Sequence, residues 1–280
     1  MHKVYLFFIL WVFVAGETGR AQTFDDFINQ SFDCLDKENY VCAEEALKNA
    51  MRKEPGNPRN PLLLSNLGTI QRKLGKKEDA LLSYTAALSS FNQKNNTILL
   101  MNRAALYAEM DSIYPALSDY MRVLEVEPDN EQALYSAGLI YIEKNDTSSA
   151  RICFTKILKK DPRSIDGRAG YAMLSKISND YRTAEMLFSE ILKEKPDLFF
   201  LYLQRAEVYF ASEKPSKALD DVNTYLKQYP DDEYAYFLRG KIKLALWETA
   251  GAYEDFQRAK LLGYDTEKIN EMLRKLKVKG

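Results

Sequence analysis

The chain has almost no histidine: one in 280 residues, His2. Imidazole is the usual general base, nucleophile activator and zinc ligand, so its loss removes many enzyme classes at once. Neither sign of charge dominates, with 39 Lys and Arg against 40 Asp and Glu. A dedicated nucleic-acid binder needs a basic stripe to displace counterions, and this balance argues against one. Glycine (12) and proline (9) are scarce, while Ala, Leu, Lys and Glu are plentiful, which is the composition of a helical protein. There is no glycine-rich phosphate loop, no paired-cysteine metal spacing and no nucleophile elbow. The carboxylate pairs Asp220-Asp221 and Asp231-Asp232 read as helix-face charge and turn capping. No catalytic residue, metal, cofactor or small-molecule substrate is expected.

One long apolar run stands at the start. Met1-His2-Lys3 is a short basic opening, Val4 to Gly16 is unbroken apolar sequence, and Gly19 and Ala21 occupy the −3 and −1 places of a cleavage site. This is the layout of a signal peptide over residues 1–21. About 13 apolar residues fall short of the roughly 20 that a bilayer span needs, and a retained N-terminal anchor is the alternative. No cysteine stands directly after the run, which argues against a lipoprotein. Removing residues 1–21 leaves 37 basic and 39 acidic residues and no histidine at all. The expected location is the periplasm, or the membrane facing it if the leader is retained.

What the chain has in abundance is repetition. Ala43, Ala80, Ala116, Ala150, Ala184, Ala218 and Ala252 recur at steps of 37, 36, 34, 34, 34 and 34. Twelve residues before each stands a small residue: Ser31, Gly68, Ala104, Gly138, Ala172, Ala206 and Gly240. Twelve residues after, five of the seven places hold proline: Pro55, Pro128, Pro162, Pro196 and Pro230. Apolar residues within a unit recur at three- and four-residue steps, as in Leu134, Gly138, Tyr141 and Ala150, Phe154, Ile157. Each unit therefore predicts two amphipathic helices joined by a tight turn. The small residue and the alanine let the backbones approach, and Tyr84, Tyr120, Phe154, Phe188 and Phe256 fill the space to the next pair. Proline ends the second helix. A single pair cannot bury its apolar face alone, so pairs must stack.

This small-residue, alanine, aromatic, proline pattern resembles the tetratricopeptide repeat. It spans seven units, 24–57, 61–94, 97–130, 131–164, 165–198, 199–232 and 233–266. The resemblance implies an all-α, right-handed α-solenoid of seven helix pairs over residues 22–266, with residues 267–280 as a capping helix. The pattern departs at Asn92 and Tyr264, which replace proline, at Val222, which replaces the aromatic, and at the spacers 58–60 and 95–96.

In this family the first helices line a concave groove that holds an extended peptide or a partner helix. The resemblance places Asn29, Asn66, Asn102, Ser136, Gly170, Gln204 and Leu238 along that groove, two residues before each small residue. Amides offer both donor and acceptor to a main chain, and the asparagines resemble a peptide-gripping ladder. Toward the C-terminus, Phe200, Leu203, Phe210, Tyr234 and Phe237 fall on the same predicted face. They form either an open apolar patch for an amphipathic helix or a surface covered by the capping helix through Ile269, Met272 and Leu273. The family's carboxylate clamp for chaperone tails does not match, because Ser65, Thr69 and Gln132 occupy clamp places.

Three further features stand out. Arginine precedes the small residue in three units only, at Arg103, Arg205 and Arg239. In those same three units the residue sixteen later is aspartate: Asp119, Asp221 and Asp255. This predicts partly buried ion pairs between the two helices of a unit. Cys34 and Cys42 face each other across the first turn and can reach disulfide geometry, whereas Cys153 reads as a buried filler. Asp111-Ser112-Ile113, in the turn of the third unit, resembles a bacterial O-glycosylation acceptor. The expected function is a non-enzymatic scaffold of the bacterial envelope that holds a protein or peptide partner in its groove. The alternatives are a holdase-like binder of extended polypeptide and, more remotely, an enzyme with a concealed carboxylate site.

Overall fold

The structure, a computed structural model, describes residues 22–90 and 96–279. The leader at 1–21 lies outside the described residues. Two compact units divide the chain at Lys94 and Asn95. Unit 1 contains α1 (Phe24–Asp36), α2 (Tyr40–Lys53), α3 (Asn60–Lys73) and α4 (Lys77–Ser89). Unit 2 begins with α5 (Thr97–Glu109), α6 (Ile113–Val126), α7 (Glu131–Glu143), α8 (Thr147–Lys160), α9 (Ile165–Ile177) and α10 (Tyr181–Glu194). It continues with α11 (Phe199–Ala211), α12 (Pro215–Gln228), α13 (Glu233–Ala245), α14 (Thr249–Leu261) and α15 (Thr266–Lys279). Every described element is an α-helix. Odd and even helices pair as hairpins, two in unit 1 and five in unit 2, and α15 closes unit 2.

Each hairpin is held by the residues that set the repeat. The seven packing alanines are all 0% exposed, so a larger side chain at any of them would have to displace packed neighbours. The aromatic four residues on lies against the small residue of its own odd helix. Phe154 is held from both sides: an added Cβ at Gly138 would meet its ring at 2.5 Å, and one at Gly170 of the following hairpin at 2.2 Å. Glycine at these two places lets one ring join successive hairpins.

The turn inside each hairpin is equally regular. The residue five before the alanine has positive φ in every unit: Glu38, Gly75, Asp111, Asn145, Asn179, Glu213 and Trp247. The odd helix thus ends in a left-handed residue, and the next backbone N–H bonds back into its last turn, as Asn39 N does to Cys34 O at 2.8 Å. That same next residue N-caps the even helix, so two helices meet with almost no loop.

The C-terminal helix has a large apolar share in the core. Ile269 and Leu276 are buried with Phe237, Ala252, Phe256 and Ala259. Its role is to cover the open face of the last hairpin, which repeat proteins require at their ends.

Candidate polypeptide-binding face

In unit 2 successive odd helices pack side by side, α7 with α9, α11 with α13 and α13 with α15, more closely than any two even helices do. The odd helices therefore form the inner side of unit 2, and their inward residues compose the face available to a ligand. In unit 1, Asn66 is exposed on α3 and Asn29 is exposed on α1. In unit 2, Asn102 on α5 and Ser136 on α7 are half-buried. Gly170 and Leu238 are buried, so they offer nothing to a ligand. Gln204 on α11 is half-buried and already engaged, since its Oε1 accepts from Lys176 Nζ at 2.6 Å.

At the C-terminal part of this face the two expectations divide: the capping helix covers Phe237 through Ile269, Met272 and Leu273, while part of the apolar surface stays open. Phe200 is 41% exposed, Tyr234 is 37% exposed and Phe210 is half-buried. Leu203, by contrast, is buried with Ala206, Val222 and Leu238 in the core between α11, α12 and α13. Phe237 is buried as well: Tyr264 stacks on it at 4.4 Å and Phe256 lies 5.8 Å away. Both are corrections to the predicted groove. Leu203 turns into the hairpin core, and Phe237 is sealed by Tyr264 and α15.

What remains on the surface is mixed rather than apolar. Lys176 pairs with Glu207, and Tyr234 OH donates to Glu207 Oε1 at 2.7 Å. Burial first, and then Glu207, push the Tyr234 hydroxyl well above the usual tyrosine range. Lys241 Nζ lies 5.3 Å from the Phe210 ring and 5.7 Å from the Phe237 ring. Nearer the middle of unit 2, burial and then Asp166 push the Tyr135 hydroxyl up to about 12. Burial and then Glu131 push the Asp166 carboxyl up. Aromatic rings beside amides, a paired carboxylate and a ring-flanked ammonium can hold a main chain and its apolar side chains.

The remaining predicted residues hold the scaffold together. Arg103 donates to both carboxylate oxygens of Asp119 at 2.7 and 2.8 Å, Arg205 to Asp221 at 2.7 and 2.8 Å, and Arg239 to Asp255 at 2.9 and 2.6 Å. Two of these arginines also reach back to the preceding hairpin, Arg205 to Ser189 at 3.2 Å and Arg239 to Asn223 at 3.0 Å. Each therefore ties three helices. The structure joins Cys34 to Cys42, with Cα atoms 5.7 Å apart. Cys153 is buried, and burial pushes its thiol up.

A second set of staples escaped the sequence reading. Glu44, buried on α2, accepts from Lys48 and Lys76 at 2.6 Å each. Gln71 donates to Glu44 at 3.4 Å and accepts from Ser83 at 2.7 Å. Burial alone would raise the Glu44 carboxyl, but the bonds from Lys48, Lys76 and Gln71 hold it down at about 2. In unit 2, Glu185 pairs with Lys214 in the same way. The signal was present: an acid directly follows the packing alanine at Glu44 and Glu185 only. Those are the two units after which lysine N-caps the next even helix.

Comparison with known proteins agrees with this architecture. Residues 132–164 match the family described as tetratricopeptide repeat. No curated protein matches the sequence. Among solved structures, a tetratricopeptide repeat protein from Parabacteroides merdae ATCC 43184 is 42% identical, with a TM-score of 0.77, over 90% of this chain and 98% of its own. PilW, a type IV pilus biogenesis factor, is 18% identical with a TM-score of 0.65, over 78% of this chain and 100% of its own. MamA from Desulfovibrio magneticus RS-1 is 20% identical with a TM-score of 0.55, over 62% of this chain and 96% of its own. The last two share the fold alone. With a repeat of helical hairpins throughout and a 42% identical relative along nearly its whole length, this chain belongs to the tetratricopeptide repeat proteins.

Proposed function

We propose that the chain is a non-enzymatic scaffold of the bacterial envelope, and that it holds a segment of another protein against the odd-helix face of unit 2. The observation that carries this reading is the α11 and α13 surface. There Phe200 and Tyr234 stay exposed although α15 and Tyr264 bury their neighbour Phe237. Large aromatic side chains left open on a rigid, ion-paired frame supply much contact area at small entropic cost, the property of binding hot spots. The tetratricopeptide hairpin repeat supports this reading, since stacked helical hairpins present a long continuous face to a partner. Export rests on the layout of residues 1–21 and on the Cys34–Cys42 bond, since disulfides persist in oxidising compartments.

The test uses residues 22–280 as bait on an envelope extract from the cells that make the protein. A first variant carries Asn102→Ala, Phe200→Ala, Gln204→Ala and Tyr234→Ala. A second carries Ile152→Ser and Met186→Ser, two exposed positions on even helices. A protein kept by the parent and the second variant, and weakened about tenfold or more in the first, supports the reading. Loss in the second variant alone would move the binding surface to the even helices. A broad, sequence-tolerant set of captured chains would favour a holdase.

A further inference from the structure

The shared turn geometry sets one hairpin apart. In the turns where the even-helix N-cap carries a short polar side chain, that side chain accepts the backbone N–H three residues on. Asn39 accepts from Cys42 at 3.1 Å, Asp146 from Ser149 at 3.0 Å and Asp180 from Thr183 at 3.2 Å. Ser112 has a capping side chain in the same place, at the start of α6, and makes no capping bond. The reason is three residues further on. Position 115 is proline, which has no N–H to give. The Ser112 hydroxyl is left with a 3.4 Å approach to the Met110 carbonyl, the weak end of hydrogen-bonding range. Its acceptor lone pairs, which the fold would otherwise commit to α6, are uncommitted.

The surroundings suit chemistry from outside. Ser112 is half-buried, while Asp111, Tyr114 and Pro115 are exposed, and Asp111 is held at φ 53° in the tip of the turn. A bulky polar adduct is tolerated at such a surface turn and nowhere in a packed hairpin. The neighbouring hydroxyl, on Tyr114, belongs to a ring already covered by Lys144, whose Nζ lies 3.4 Å from the ring centroid. Ser112 is the uncommitted one.

We propose that Ser112 is the acceptor of an O-linked glycan, read as the turn triplet Asp111-Ser112-Ile113, in which Asp111 is exposed and Ser112 and Ile113 are half-buried. The donor is an activated sugar whose anomeric carbon is bonded to phosphate. The Ser112 Oγ–anomeric carbon bond forms, and the bond from that carbon to the phosphate oxygen breaks. The electron pair leaves on the phosphate, and the hydroxyl proton passes to a base of the transferring enzyme. The Asp111 carboxylate is the charged group beside the acceptor that such an enzyme reads. The inference rests on the export reading above, because the transfer is placed in the envelope.

Intact-mass spectrometry of the protein isolated from the cells that make it tests both. Four forms are compared: the parent, Ser112→Ala, Ser112→Thr and Asp111→Ala. The expected result is a chain beginning at Gln22 that carries extra mass made up of sugar residues. The surplus should persist in Ser112→Thr, vanish in Ser112→Ala and fall sharply in Asp111→Ala. Ser112 caps nothing, so Ser112→Ala should melt with the parent, which separates lost modification from lost folding. A processed chain with the mass of bare polypeptide overturns the inference alone, as does a surplus that survives Ser112→Ala or that matches a phosphoryl group. An unprocessed chain found in the cytosol overturns the export reading and the inference together.

Discussion

Asp119, Asp221 and Asp255 are carboxylates buried between helices, a place where an unpaired charge would cost several kcal/mol. Each is matched by an arginine sixteen residues earlier, which donates to both of its oxygens. This pairing was legible in the sequence because both partners sit inside one unit, so their spacing is constant. The Glu44 network was not, because its partner Lys76 lies in the next unit, across the spacer 58–60. That spacer makes the step 32 residues, against 29 from Glu185 to Lys214. Glu44 yields a prediction with a definite sign. Its carboxyl is held at about 2, below its ordinary 4.5, so folding binds fewer protons than the unfolded chain does. The contribution is complete above about 4.5 and is lost as the pH falls toward 2. Glu44→Gln should therefore be less stable than the parent by a constant margin from neutral pH down to about pH 5, with the margin closing below that. Denaturant titrations at a series of pH values measure it. A margin that stays constant throughout would mean the charge on Glu44 contributes nothing.

At the scale of the element, the period alone announced every hairpin, because small residues, alanines and prolines each have one steric reason to recur. Turn conformation was less visible. Of the seven positive-φ residues at the turns inside the hairpins, Gly75 alone is a glycine, and the rest accept a strained backbone for the sake of the tight turn. Gly75→Ala should lower stability by about 1 kcal/mol. Glu213→Gly should leave stability unchanged or raise it by up to about 1 kcal/mol, because relief of the left-handed strain offsets the added chain entropy. Thermal melts of the two variants check the pair, and equal losses in both would contradict the strain argument. Which residues of an odd helix face outward was also only partly legible. Leu203 and Phe237 occupy groove places in the repeat, yet Leu203 joins the α11–α12–α13 core and Phe237 lies under Tyr264. Repeat spacing locates a residue on a helix, but it does not say what a terminal helix or a neighbouring ring will cover.

At the scale of the molecule, function is carried by surface chemistry laid over a rigid frame. Charged staples, a disulfide and clasped aromatic rings fix the hairpins within each unit. They leave Asn102 and Ser136 half-buried and Phe200 and Tyr234 exposed on unit 2, with Phe210 packed at the edge of the core beside them. The central claim is that this face, and not the even-helix side, meets the partner. The most direct measurement places a photo-activated crosslinking amino acid at Phe200, Tyr234, Ile152 or Met186, one at a time, in the full chain made in its own cells. The account predicts a discrete crosslinked protein from Phe200 and from Tyr234, and none from Ile152 or Met186. Crosslinks from the even-helix positions with none from the odd-helix face would contradict it.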